Sequence, residues 1–193
     1  MCEVGDEEMI INKDVLKSLK PCEKRWKNFL QNYSDFNGSF DDFLDLELIS
    51  YEDKIWVAGK ILSINQLVCF SILCAESVLY TYEEKYPQDK RIHNLLTFMK
   101  SIVDFISTTE EQRKRLIELR GGVRAAPNAA YATAYAAYAA DAVATCAVTC
   151  IATYAANAAD YAAYAAYAVT YAAAARDNQQ QLNLVFLKMA GSL

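Results

Sequence analysis

The sequence predicts an all-α protein, a helical bundle that ends in a C-terminal Ala/Tyr-rich long helix or helical hairpin. Apolar residues recur at helical spacing along the first two thirds of the chain, and Ser or Thr precedes several of these segments as an N-cap. No stretch alternates apolar and polar residues as a half-buried strand would. Hydrophobic residues make up 54% of the 193 positions, which is too many for a disordered chain.

The pattern divides the chain into an N-terminal accessory segment, residues 1–48, and a helical domain, residues 49–193. In the accessory segment, Glu23–Asn32 has the composition of one short helix. Tyr33–Asp45 contains Asn37-Gly38 and several aspartates, which predict a turn. The helical domain is expected to contain three parts, which are the Leu-rich helices 50–120, the Ala/Tyr-rich helices 125–176 and a short terminal helix 182–189.

The Leu-rich part shows start and stop signals for four helices. Ser50 begins the first, and Ser63 with Gln66 forms a capping box for the second, which Pro87 ends. The third is expected over Asp89–Ser107.

The fourth helix of the Leu-rich part is expected to begin at a Thr108 cap, with Glu111 at the third position. It should stop at Gly121-Gly122, because glycine commonly follows the last turn of a helix.

The segment from Ala129 to Ala175 contains 25 alanines and eight tyrosines among 47 residues, without Gly or Pro. Alanine has the highest helix propensity, so this segment is predicted to be helical, with its tyrosines mostly in the core. One helix of this length would span about 70 Å, longer than a compact domain of this size. A break near Thr145–Thr153 or at Asn157 would give a hairpin instead, and both arrangements remain open.

The charge distribution excludes some partners. The formal net charge of -5 resides in residues 1–123, which argues against a nucleic-acid-binding surface and suits a partner with a basic face. Met1–Ile10 is acidic, unlike a secretory signal, and the six cysteines lie in apolar helical patterns, as reduced core thiols do. No membrane-spanning segment is recognised, and a cytoplasmic location in a bacterial host cell is expected.

No catalytic group, metal site or cofactor site is predicted. His93 is the only histidine, and its amphipathic helix suggests an exposed or capping role. The pairs Cys69/Cys74 and Cys146/Cys150 lack further zinc ligands nearby in the sequence. Glycine-rich phosphate-binding loops are absent from the sequence. These observations favour a binding protein over an enzyme.

Two candidate binding sites remain. The first is an acidic-aromatic stretch that suits a basic groove on a protein partner, or else forms a solvated lid over the core. Its residues are Asp35, Phe36, Phe40, Asp41, Asp42 and Asp45. The second is a pocket for a small, nucleotide-like ligand among the scarce polar groups of the Ala/Tyr-rich helices. Its residues are Tyr138, Asp141, Asn157, Asp160 and Tyr164.

Three motifs and the Ala/Tyr-rich segment together resemble a known family. The motifs are ISYEDKIWVAGKIL (Ile49–Leu62), LCAESVL (Leu73–Leu79) and YPQDKRIHNLL (Tyr86–Leu96). They resemble the Ala-rich helical immunity proteins and their phage relatives, over roughly Ile49–Leu187. The resemblance implies a non-enzymatic inhibitor that binds a bacterial effector, such as a toxin or a defence nuclease, as an immunity or anti-defence protein. It leaves homo-oligomerisation open.

Overall fold

The computed structural model describes residues 9–102, 108–124 and 176–192. The chain divides into two compact units, Met1–Lys60 and Ile61–Leu193. Within the described ranges, the regular elements are helices apart from two strands of three residues each, which confirms the all-α class. The choice between one long Ala/Tyr-rich helix and a hairpin concerns residues outside these ranges. The third Leu-rich helix, expected over Asp89–Ser107, is shorter than expected, because it ends at Lys100, where the Ser101 amide donates back to the last turn.

The first unit begins with a short strand and helix. β1 (Ile10–Asn12) pairs antiparallel with β2 (Asn37–Ser39), with Ile11 opposite Gly38. The Asn12 carboxamide oxygen accepts hydrogen bonds from two backbone amides, both at 3.0 Å, and so caps α1 (Lys13–Ser18). The turn predicted within Tyr33–Asp45 occurs at Ser34-Asp35, where the Phe36 amide donates to the Tyr33 carbonyl at 3.0 Å. Asn37-Gly38 instead belong to a strand whose partner is 27 positions away.

Three further helices complete the first unit. α2 (Glu23–Tyr33) agrees with the predicted helix. α3 (Phe40–Asp45) begins with a capping box, in which Ser39 Oγ accepts from the Asp42 amide at 3.0 Å and Asp42 Oδ2 accepts from the Ser39 amide at 2.9 Å. α4 (Tyr51–Ile61) begins where Ser50 was expected to cap it.

The second unit is built around α5 (Ile64–Lys85), and the capping box of Ser63 and Gln66 is confirmed. α8 (Arg176–Gly191) packs against α5. Gln66 Nε2 donates to the Gly191 carbonyl at 3.1 Å, and the Cys74 thiol donates to Asn183 Oδ1 at 3.6 Å. The terminal helix is thus longer than the expected 182–189.

α6 (Arg91–Lys100) and α7 (Glu110–Arg124) complete the described part of this unit. α7 is capped by Thr109, not Thr108, since Thr109 Oγ1 accepts from the Gln112 amide at 3.2 Å. The helix also continues through Gly121-Gly122, contrary to expectation. A glycine inside a helix costs only about 1 kcal/mol relative to alanine, which tertiary contacts can offset. The core includes the fully buried side chains of Val68, Tyr82, Leu95, Leu96, Met99, Leu116 and Leu187.

Candidate protein-binding site

The predicted acidic-aromatic stretch begins in the connection after α2 and continues through β2 and α3. Its four aspartates, Asp35, Asp41, Asp42 and Asp45, are exposed, and we call them the acidic surface. Asp42 has a structural role as well, because its carboxylate accepts from the amide and hydroxyl of Ser39 at 2.9 and 2.8 Å. The other three aspartates can be changed without removing this cap.

The aromatic residues of the stretch point the other way. Phe40 is 5% exposed and Phe43 is 1% exposed, so both belong to the core of the first unit. Phe36 is half-buried, and its ring centroid lies 6.4 Å from that of Phe43. The short helix α3 therefore covers the core with one face, through Phe40 and Phe43, and presents aspartates to solvent on the other. Of the six predicted residues, the aspartates and part of Phe36 are accessible to a partner, whereas Phe40 is not.

A cleft lies behind α3 within the first unit. It is lined by Leu16, Pro21, Arg25, Trp26, Phe29, Phe43, Ile49, Asp53, Trp56 and Val57. The Arg25 guanidinium carbon lies 5.2 Å from the Trp56 ring centroid, and Arg25 Nε lies 2.5 Å from Asp53 Oδ1. Sequence reasoning missed this cluster, because Arg25 and Asp53 lie on different helices. The two half-buried tryptophans, the only ones in the chain, were the available signal.

The Asp89 and Arg91 of the YPQDKRIHNLL motif form a hydrogen-bonded network in the second unit. The Arg91 guanidinium donates to both Asp89 oxygens, and its Nη1 donates to the Gly122 carbonyl at 3.2 Å. The buried Tyr82 hydroxyl donates to Asp89 Oδ2 at 2.6 Å. The network joins the end of α5, the start of α6 and the end of α7, so these motif residues have a structural role. Asp89 Oδ1 also accepts from the Arg91 amide at 3.1 Å, so the Asp89 side chain satisfies the first amide of α6 and lies before the helix rather than in it.

The network shifts the ionisation of two of its members. The Arg91 side chain, by donating to the carboxylate, holds the pKa of Asp89 well below its usual range. Burial, followed by the hydrogen bond to Asp89, raises the pKa of Tyr82 to about 12. The folded protein therefore favours the ionised carboxylate and the neutral phenol.

Alkaline pH is expected to weaken the second unit through Tyr82. A phenol whose pKa is raised on folding stabilises the protein fully below its unfolded pKa of 10.0, and this contribution is lost as the pH approaches 12. Denaturant unfolding between pH 9 and 12 should show the advantage of the wild type over Tyr82→Phe shrinking across this window. A constant difference between the two proteins would contradict the expected pKa.

A groove between α5 and α6, with a volume of about 710 Å³, lies in the second unit. Ile72, Met99 and Ile102 are among its lining residues, and the Lys100 ammonium lies 2.8 Å from Glu76 Oε1. Burial, followed by the charge of Glu76, raises the pKa of the Cys69 thiol in this groove. The Lys100–Glu76 pair, and Gln66 through its two hydrogen bonds, already have protein partners, so the groove offers few polar groups to a ligand.

The remaining chemistry-bearing residues do not assemble into a reactive site in the described part of the chain. His93 is exposed, with its Nδ1 at 3.5 Å from Glu83 Oε1. Cys22, Cys69 and Cys74 are free thiols, and burial raises the pKa of Cys74 well above its usual value. No group of three or more His, Cys, Asp or Glu side chains suited to a metal ion occurs in ranges 9–102, 108–124 and 176–192.

Two further sequence predictions are the alternative ligand site in the Ala/Tyr-rich helices and the lack of a membrane-spanning segment. The alternative ligand site falls outside the described residues, at Tyr138, Asp141, Asn157, Asp160 and Tyr164. None of the described helices has the length and apolar character needed to span a bilayer.

Comparison with known proteins agrees with the motifs. Residues 60–188, well over half of the chain, match the model of the family described as Imm-5 like putative immunity protein. The match begins at the boundary between the two units and covers most of the second one. No curated protein and no solved structure matches the chain. The matched residues include the Asp89–Arg91 network and the α5–α8 contact, and on this match the chain belongs to the Imm-5 like immunity-protein family.

Proposed function

We propose that this protein neutralises a bacterial effector, a toxin or a defence-system component such as a nuclease, by direct protein contact and without catalysis. Membership of the family supports an immunity role. The contact with the effector is proposed to occur at the acidic surface, because its carboxylates are exposed. We place the inhibition in the cytoplasm of a bacterial host cell, as an immunity or phage anti-defence function. The free cysteines Cys22, Cys69 and Cys74 of the described residues support this placement.

Electrostatic complementarity explains how such a surface would act. Three of the aspartates, Asp41, Asp42 and Asp45, lie on one six-residue helix, and the buried Phe40 and Phe43 fix that helix to the core. Fixed charges of one sign steer a partner of opposite sign and raise its association rate, and salt screens this effect. We therefore propose a partner with a basic face, whose binding weakens as ionic strength rises.

Charge reversal on the acidic surface is expected to slow association with the effector. The triple variant Asp35→Lys, Asp41→Lys, Asp45→Lys leaves the Asp42 cap intact and should lower the association rate constant at low salt by about tenfold or more. The difference from wild type should shrink at high salt. The effector is first captured from bacterial lysate on the tagged full chain, and its binding kinetics are then measured at two salt concentrations.

The matched control reverses three exposed acidic residues of α7, Glu110, Glu111 and Glu118, and so changes the net charge equally. This control should associate nearly as fast as the wild type, and His93→Ala should still neutralise the effector in a growth assay. Slower association of the α7 variant alone would move the contact to the second unit. Loss of neutralisation in folded His93→Ala would favour a reaction over contact inhibition.

A further inference from the structure

The first unit holds a preformed site for a guanidinium group. Asp53 and Trp56 are three residues apart on α4, so both side chains lie on one face of that helix. The Ser50 hydroxyl accepts from the Asp53 amide at 3.2 Å and fixes the first turn of α4. An aromatic face beside a carboxylate is the combination that binds a guanidinium by stacking and by hydrogen-bonded pairing.

Arg25 of α2 occupies this site in the free protein. Its guanidinium carbon lies 5.2 Å from the Trp56 ring centroid, and its Nε lies 2.5 Å from Asp53 Oδ1. The side chains of Arg25 and Asp53 are 36% and 21% exposed, so solvent and other solutes reach the pair. Partly exposed ion pairs contribute little net stability, and Arg25 can therefore leave at small cost.

The surroundings favour a basic protein segment as the exchanging occupant. The cleft around the pair is lined by the half-buried Trp26, which can cover the methylene groups of an incoming side chain, and by the buried Phe29 and Phe43. Phe43 belongs to α3, the helix that carries most of the acidic surface on its other side. A partner with several basic residues would therefore meet the exposed carboxylates and the guanidinium site on the same unit.

We propose that Asp53 and Trp56 bind an arginine side chain of the effector, and that Arg25 is an intramolecular competitor for this site. The proposal rests on the proposed function and adds the chemistry of the partner's anchoring residue. It differs from a purely structural Arg25–Asp53 pair in one respect. Removing Arg25 should strengthen the binding of an arginine from outside. In the wild type Arg25 occupies the site for part of the time, and this occupancy lowers the apparent affinity for the incoming arginine.

The test uses the full chain and a tetra-arginine peptide, with tryptophan fluorescence as the signal, since both tryptophans of the chain line this cleft. Arg25→Ala should bind the peptide about fivefold more tightly than the wild type, the gain that corresponds to the upper range for a partly exposed ion pair. Lys27→Ala removes the same charge from an exposed position of α2 and should change the affinity less than about twofold. Adding Asp53→Asn to Arg25→Ala should abolish the gain. A tetra-lysine peptide should bind more weakly, because an ammonium group cannot match the planar guanidinium.

Equal or weaker binding by folded Arg25→Ala, relative to Lys27→Ala, would overturn the proposal and leave Arg25 as a structural residue. Arg25→Gln, which keeps most of the side-chain length, replaces Arg25→Ala if circular dichroism shows that the alanine variant is unfolded. A gain that survives Asp53→Asn would also overturn it. These outcomes are independent of effector capture, so a failed peptide experiment leaves contact by the acidic surface standing. Conversely, if charge reversal on the acidic surface does not change binding to the effector, the peptide result still holds.

Discussion

Phe43→Ala is expected to lower the free energy of unfolding of the first unit by about 3–5 kcal/mol, the usual cost of removing a buried aromatic ring. Phe43 is 1% exposed and lines the cleft between the helices of this unit. Its loss leaves a cavity and loosens α3, which carries most of the acidic surface. Urea unfolding followed by tryptophan fluorescence measures the effect, because Trp26 and Trp56 both belong to this unit.

Phe36→Ala is the matched control for this substitution. Phe36 contacts the Phe43 ring but is only half-buried, so its removal should cost clearly less than that of Phe43. If the two variants lose the same free energy, α3 is not held to its unit by Phe43, and the assignment of the inner face as core is wrong.

Asp89→Ala is expected to destabilise the second unit by about 2–3 kcal/mol, as loss of hydrogen bonds to a charged group does. The substitution removes the acceptor of the buried Tyr82 hydroxyl and of the Arg91 guanidinium together. Arg91 would then also hold the Gly122 carbonyl less firmly at the end of α7. Thermal unfolding followed by the helical circular dichroism signal measures the loss.

Lys90→Ala tests whether this loss depends on the network rather than on local charge. Lys90 is adjacent in sequence, and its ammonium lies 3.4 Å from Glu83 Oε1 in an exposed ion pair. Its substitution should cost no more than about 1 kcal/mol. A similar cost at both positions would show that Asp89 contributes only as a surface charge.

Local signals explain why several helix starts were predictable. The capping box of Ser63 and Gln66 needs only residues within one turn of a helix, and the structure forms it as expected. For α7, the same type of pattern predicts a cap at Thr108, one residue before the cap that the structure forms at Thr109. Both Thr108–Glu111 and Thr109–Gln112 satisfy the spacing, and the structure selects the second. Local pattern therefore located the helix but not its exact register.

Features that depend on distant residues could not be predicted in this way. β1 and β2 are three residues long, which is too short for an alternating pattern to show. The continuation of α7 through Gly121-Gly122 involves Arg91, whose guanidinium lies 31 positions away in the sequence from its acceptor. For the candidate site, the sequence predicted exposed acidic residues, but it did not show that Phe40 lies in the core. Which aromatic residue of the stretch is buried, Phe40 rather than Phe36, depends on how the helices pack together, and that packing involves residues distant in the sequence.

The α5–α8 contact has a consequence for the order of events during translation. Gln66 and the Gly191 carbonyl are 125 positions apart, and Cys74 and Asn183 are 109 apart. At about 5–20 residues per second, a ribosome needs roughly 6–25 s between adding the first and the second member of the Gln66–Gly191 pair. For that interval α5 has no α8 to cover its apolar face, whereas the residues of the first unit are already synthesised. The nascent second unit is then a target for chaperones and proteases while the acidic surface can already fold.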